Sequence, residues 1–198
     1  MHNVRDAIKD YMINKGICKP YAIKFARTET IEDLMTLGID LQATPFICHL
    51  INQNVLKSDE IFEQCERFIN GKATFKREIS NDVYYNCRYY VKYNNKKITN
   101  ITNSLLVIDC SNLHILVTRF YAPIINIVGD SSVIIDTEEN SVININLYDE
   151  NSTLKLNNIH KSTIVHVHRI NCMNSNIDYD SNNANIIIHE PKIKDIYD

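Results

Sequence analysis

Asn140-Ser141-Val142-Ile143-Asn144-Ile145-Asn146-Leu147, followed closely by Asn151-Ser152-Thr153-Leu154-Lys155-Leu156, is the stretch that decides the fold class. In each half a turn residue and a serine precede a run in which apolar and polar side chains alternate. A period of two marks a β-strand with one face in a core, so Ile143, Ile145 and Leu147 point inward and Asn144 and Asn146 outward. The same pattern returns as Ser131-Ser132-Val133, Lys161-Ser162-Thr163, Asn174-Ser175-Asn176 and Asn183-Ala184-Asn185. Successive copies stand about ten residues apart. One strand and one turn cannot bury an apolar face alone, whereas stacked copies share a continuous core. The expectation is a β-solenoid, parallel β-helix-like, over residues 104–190, with two or three units per coil. Outward asparagines would then form ladders between coils. An antiparallel β-sandwich is the alternative, because strands at this spacing also build meanders; the near-constant turn pattern favours the solenoid.

Towards the N-terminus the period changes. Over residues 82–93 Val83, Tyr85, Cys87, Tyr89, Val91 and Tyr93 alternate with polar or aromatic neighbours, which predicts one long strand ending at a turn on Asn94-Asn95. Before it the spacing is helical. Val4, Ala7, Ile8, Tyr11 and Met12 form one stripe, ended by Gly16. A short helix is expected over residues 21–27. Thr30 caps the next, with Asp33 as its capping-box partner. Pro45 stands near the start of another, and Ser58 caps a last helix that carries Phe62, Cys65, Phe68 and Ile69 and stops at Asn70-Gly71. The class is therefore α+β: a helical unit over 1–71, a connecting segment with a long strand over 72–103, the solenoid over 104–190 and a charged tail over 191–198.

Composition narrows the function. The 198 residues carry a net charge of −3, which gives nucleic-acid binding no support. Glycine and proline number only four each, so Asn and Asp must supply many turns. The six cysteines form no C-x-x-C pair and read as free, largely buried thiols. The start of the chain lacks the apolar core of a secretory signal, and no apolar run reaches the roughly 20 residues of a membrane span.

Candidate chemistry is sparse. His166 and His168 lie two apart on one strand and share a face, a weak candidate metal or acid–base pair that His160 or His189 would have to complete. Arg88, Tyr90 and Lys92, together with Arg119 and Tyr121, mix cations with aromatics, a combination suited to sugars, phosphates or a protein partner. Asp109, Asp136 and Asp178 sit on strands, but spacing places no two of them opposite each other as a glycosidase needs. No phosphate-binding glycine loop and no nucleophile or zinc-protease motif is present. No cofactor and no enzymatic activity is expected.

The stretches Arg5-Asp6-Ala7-Ile8-Lys9, Gly16-Ile17-Cys18-Lys19 and Thr30-Ile31-Glu32-Asp33-Leu34, with Tyr90-Val91-Lys92-Tyr93-Asn94-Asn95 and Leu106-Val107-Ile108-Asp109-Cys110, resemble a family of short proteins from phages and prophages of gut Bacteroidales. That family joins a small helical head to a repetitive β region. The repeats are also similar to the adhesin-head type of β-solenoid. The resemblance implies phage origin. With the absence of catalytic motifs, it leads to the expectation of a non-enzymatic virion accessory, fibre, decoration or scaffold protein, located in the virion or the host cytoplasm. Its partners would be further copies of itself (a homo-oligomer, with a trimer as one arrangement) and other phage structural proteins. A module acting on a host factor, such as an inhibitor of a defence system, is the alternative, and a carbohydrate-active β-helix enzyme stands behind both.

Overall fold

The computed structural model describes residues 19–30, 33, 37, 44–52, 69–70, 73–76, 88–92, 97–101 and 105–191. Among the described residues, helices α1, Lys19–Ala26, and α2, Thr44–Asn52, precede the strands. Pro45 occupies the first turn of α2, where its missing N–H costs nothing. After α1, Thr30 Oγ1 accepts from the Asp33 N–H at 3.1 Å and donates to Asp33 Oδ2 at 2.9 Å, the capping arrangement read from the sequence. The first expected helix and most of the last lie outside the described residues.

The strands are β1 (Ile69–Asn70), β2 (Ala73–Lys76), β3 (Arg88–Lys92), β4 (Lys97–Ile101), β5 (Leu105–Asp109), β6 (Asn112–Val117) and β7 (Ile124–Val128). They continue as β8 (Ser132–Thr137), β9 (Val142–Leu147), β10 (Thr153–Leu156), β11 (Ile164–Arg169), β12 (Asn176–Asp178) and β13 (Ile186–Ile188). They form two sheets, one ordered β1-β2-β3-β5-β7-β9-β11-β13 and the other β12-β10-β8-β6-β4. Apart from the β1–β2 hairpin, every pairing is parallel. From β5 onward each coil gives one strand to each sheet, so two of the ten-residue units make one coil. Ile124 pairs with Asn144 and Leu113 with Val133, one coil of twenty residues. This is a parallel β-solenoid, and a uniformly parallel ladder rules out the antiparallel sandwich.

Alternation sets the core. Ile108, Ile127, Ile145 and Val167 of the first sheet face Ile115, Ile135 and Leu154 of the second, nearly all fully buried. Each buried aliphatic side chain of this spine contributes roughly 1.5–3 kcal/mol. At the last described coil the core is looser: Ile177, Ile186 and Ile188 are only partly buried.

The turns explain the recurrent serine. Ser111 N–H donates to Ser131 Oγ at 3.2 Å and Ser131 N–H to Ser152 Oγ at 2.9 Å, while Ser131 Oγ donates to the Val128 carbonyl at 2.7 Å. At the opposite corner Ser141 Oγ donates to the Thr118 carbonyl and Thr163 Oγ1 to the Glu138 carbonyl. Each hydroxyl ties one coil to the next and satisfies backbone groups that a tight buried corner would leave unpaired. Left-handed backbone recurs there too, at Cys110, Phe120, Asp130, Asn140, Asn171 and Gly129. Asn and Asp thus do work usually given to glycine.

Two boundaries differ from expectation. Parallel stacking begins before residue 104, since β2 pairs with β3 and β3 with β5 in the same sheet. Those early coils are shorter, with Ala73 opposite Arg88 and Arg88 opposite Leu105. Ile69 and Asn70 are strand rather than the end of a helix. There the chain pairs antiparallel with β2, Asn70 opposite Ala73; Gly71 lies outside the described residues.

Candidate functional site

Helix α2 packs on β7, over the outer face of the first sheet. Asn52 Nδ2 donates to the Tyr148 carbonyl at 2.7 Å, and Asn126, itself buried, donates to the Leu106 carbonyl at 3.0 Å. Cys48 is enclosed here. Burial, followed by the negative charge of Asp109, pushes its thiol well above the ordinary range, and burial does the same to the Tyr148 hydroxyl. Cys172, near the other end, is also buried; its Sγ lies 3.1 Å from the Leu147 carbonyl, and burial raises its pKa. Cys48, Cys110 and Cys172 are free thiols. Cys48 and Cys172 should therefore resist alkylation at about pH 8 in the folded protein and react once it is unfolded, as read residue by residue by peptide mass spectrometry.

Beyond α2 no described helix or strand packs over the same sheet face. In-register stacking lines up Asn144, His166 and Ile187 in one row, and Asn146 with His168 in the next. Asn146 Nδ2 donates to Asn126 Oδ1 at 3.0 Å, an amide ladder of the kind expected. His189 joins the histidine pair: its Nε2 lies 3.0 Å from His166 Nδ1, and its ring stacks on His168 with centroids 4.0 Å apart. His160 does not join them; it stands in a corner turn. Val142 and Ile164, paired neighbours, and Ile187 are each exposed by 38–40%. This strip carries amides, imidazoles and aliphatic groups, with no lysine, arginine or carboxylate in its strand rows. Among the described residues no three His, Cys, Asp or Glu side chains are grouped as metal ligands.

The second sheet presents a different outer face. His114 Nε2 lies 2.6 Å from Asp136 Oδ2, and Asp136 Oδ1 accepts from Asn157 Nδ2, Asn158 N–H and Asn158 Nδ2. Burial raises the Asp136 pKa, but the hydrogen bonds from Asn158, Asn157 and His114 outweigh it and hold the carboxyl below its usual value. The stabilisation is thus present above the unfolded pKa of about 3.9 and lost as pH falls through the lower folded value. Asp136→Ala should cost about 1–3 kcal/mol at neutral pH in chemical denaturation, with the deficit shrinking as pH falls below about 3.9. Asp178 pairs instead with Lys155 at 3.3 Å, and Asp109 is buried in the other sheet. The three strand aspartates are not brought together.

At the corner where the second sheet returns to the first, Arg119, Thr137, Glu138, Glu139 and His160 line a depression of about 420 Å³. Arg119 N–H donates to Glu138 Oε2 at 3.2 Å, and its Nη1 lies 3.9 Å from Glu139 Oε1. His160 N–H donates to Thr137 Oγ1, and its Nδ1 shares a hydrogen bond with Ser162 Oγ. Arg119 and Tyr121 share this turn, with Tyr121 half-buried. Arg88, Tyr90 and Lys92 belong to β3, opposite Leu105, Val107 and Asp109; their side chains lie outside the described residues. Sequence reading missed His114, Phe120, Glu138 and Glu139. A twenty-residue alignment of coils would have shown Phe120 at the turn position that Asn140 fills one coil later.

Comparison with protein-family models, curated proteins and solved structures finds no match. Among the described residues no helix is long and apolar enough to cross a membrane.

Proposed function

We propose that the protein is a non-enzymatic structural or interaction protein, a rigid rod that docks another protein on the outer face of its first sheet. The observation behind this reading is the flat strip of Asn144, Asn146, His166, His168 and His189 beside exposed Val142 and Ile164. Such a strip has no lysine, arginine or carboxylate in its strand rows to desolvate, and its amides and imidazoles offer both donors and acceptors. The partner that fits is another flat, weakly charged protein surface. The resemblance to phage and prophage proteins makes a virion accessory the fitting setting, with the companion proteins of the particle as partners. The described carboxylates support binding over hydrolysis: Glu138 and Glu139 are adjacent in one turn and engaged with Arg119, not opposed across a groove.

Mass spectrometry of purified particles tests this. The reading expects a fixed copy number in particles made with the wild-type chain and loss from particles made with Val142→Lys/Ile164→Lys, which puts two cations on the strip. Absence of the wild-type chain from particles would overturn the virion setting. Incorporation of the double variant at the wild-type level would overturn the docking face.

A further inference from the structure

Imidazoles from two strands meet at the last described coil. His166 and His168 share the outer face of β11, and His189 follows β13, which stacks on β11 in register. His166 Nδ1 and His189 Nε2 are 3.0 Å apart, and the His168 and His189 rings stack with centroids 4.0 Å apart and 14° between their planes. A stacked ring turns its π face, not a lone pair, to its neighbour, so this cluster is arranged to share protons rather than to wrap an ion. The segment it holds is short of other support. β13 has 3 residues and, among the described strands, pairs with β11 alone. Ile186 and Ile188 are only partly buried, and Ile187 is 39% exposed. With so little apolar burial, the histidine contacts are a large share of what keeps β13 in place.

Both contacts limit the charge the cluster can carry. A hydrogen bond between two ring nitrogens needs one protonated and one bare nitrogen. Neutral His166 and His189 meet that need, and so does the pair with one added proton. A further proton sets two N–H groups against each other and removes the bond. The stack likewise accepts one cation over a neutral ring, whereas two cations at that distance repel. The strand rows beside the cluster hold Asn144 and Asn146 on β9 and Ile187 on β13, none of which titrates. The charged residues next to it in the chain are Arg169, after His168, and Glu190, after His189, one of each sign. Lifting the segment lets each imidazole protonate in water near its ordinary value of about 6.5. The lifted state then binds more protons than the closed one, so the closed state loses stability as pH falls below about 6.5. We propose that His166, His168 and His189 form a proton-sensitive clasp, which holds the segment from β13 to His189 on β11 near neutral pH and releases it in mild acid. The clasp does not depend on the strip docking a partner.

Hydrogen exchange of the full chain tests this, read by peptide mass spectrometry at about pH 7.5 and about pH 5 and corrected for intrinsic rates. Wild-type peptides covering Asn185 to His189 should lose protection by about tenfold or more in acid, while those covering β7 to β9 keep theirs. His189→Phe keeps an aromatic ring over His168 but takes up no proton, and protection of its β13 should differ by less than about threefold between the two conditions. His160→Gln, changed in a corner turn away from the cluster, should respond as wild type does. Equal wild-type protection of β13 in both conditions, a His189→Phe response as large as that of wild type, or the same acid loss in every coil would overturn the clasp. Should phenylalanine leave β13 unprotected throughout, His166→Asn/His168→Asn decides: a flattened response supports the clasp, and an undiminished acid loss overturns it.

Discussion

Replacing Gly129 with alanine is expected to destabilise the protein by about 4 kcal/mol, lowering its melting temperature by roughly 10 °C. Two effects combine at this one atom. The backbone there has φ +66°, which costs an L-residue about 1–2 kcal/mol. A Cβ would also lie 1.9 Å from Asp109 Oδ1, 3.1 Å from Asp109 Cγ and 3.2 Å from the Cys110 nitrogen. Asp109 is fully buried on β5, and the Cys110 N–H donates to the Gly129 carbonyl at 2.9 Å, so neither neighbour can step aside freely. The glycine therefore permits the carboxylate of one coil to lie against the turn of the next. Chemical denaturation of a double-mutant cycle separates the two effects. Gly129→Ala should cost about 2 kcal/mol less when Asp109 is already alanine, leaving only the backbone strain. Equal costs in both backgrounds would show that the contact with Asp109 is not what excludes a side chain.

Ile145→Ala should cost about 3–4 kcal/mol, whereas Asn144→Ala, one residue away, should change stability by no more than about 0.5 kcal/mol. Ile145 is fully buried between Ile125 and Val167, its in-register partners in the coils before and after. Every coil depends on its neighbours to close the core, so a void at the centre of the stack removes contacts to both. Asn144 faces outward in the row of Ile124 and His166 and is only half-buried. A sheet slipped by one residue would reverse the two results, because register decides which residue faces the core. Urea denaturation of the two variants measures the difference directly.

The strands of the second half were legible because their alternation is strict and their turns repeat. Val142 to Leu147 shows both signals, and its inward and outward assignments agree with the structure. The serine pattern was visible before its reason was; the buried hydroxyl bonds at Ser131, Ser141 and Ser152 supply it. The early coils were harder to read. Around β3 both alternating sets contain aromatics, and the coil length had not yet settled near twenty residues. On β5 both faces are buried, one in the core and one on the side that α2 covers, so Leu105 to Asp109 has no polar face to reveal its orientation.

The candidate surfaces were only partly legible. His166 and His168 share a face by the period of two alone, but His189 joins them through the parallel stacking of β13 on β11, which no local pattern encodes. Arg119 was singled out for its charge beside a tyrosine. Its partners Glu138 and Glu139 lie one coil away, and only the coil length brings them to the same corner. Residues about twenty apart become neighbours in a solenoid, so a site built across coils stays hidden until the repeat is counted in whole coils rather than half coils.

We propose the Asn144–His168 strip on the first sheet as the place where this protein meets another. The most direct measurement is its copy number, by quantitative mass spectrometry, in particles assembled with wild-type chain and with Val142→Lys/Ile164→Lys, alongside a control such as Lys155→Glu on the second sheet. The account predicts the same fixed copy number for wild type and control and near-complete loss for the strip variant, with all three chains equally folded. Equal incorporation of strip variant and control, or no incorporation of any of them, would contradict it.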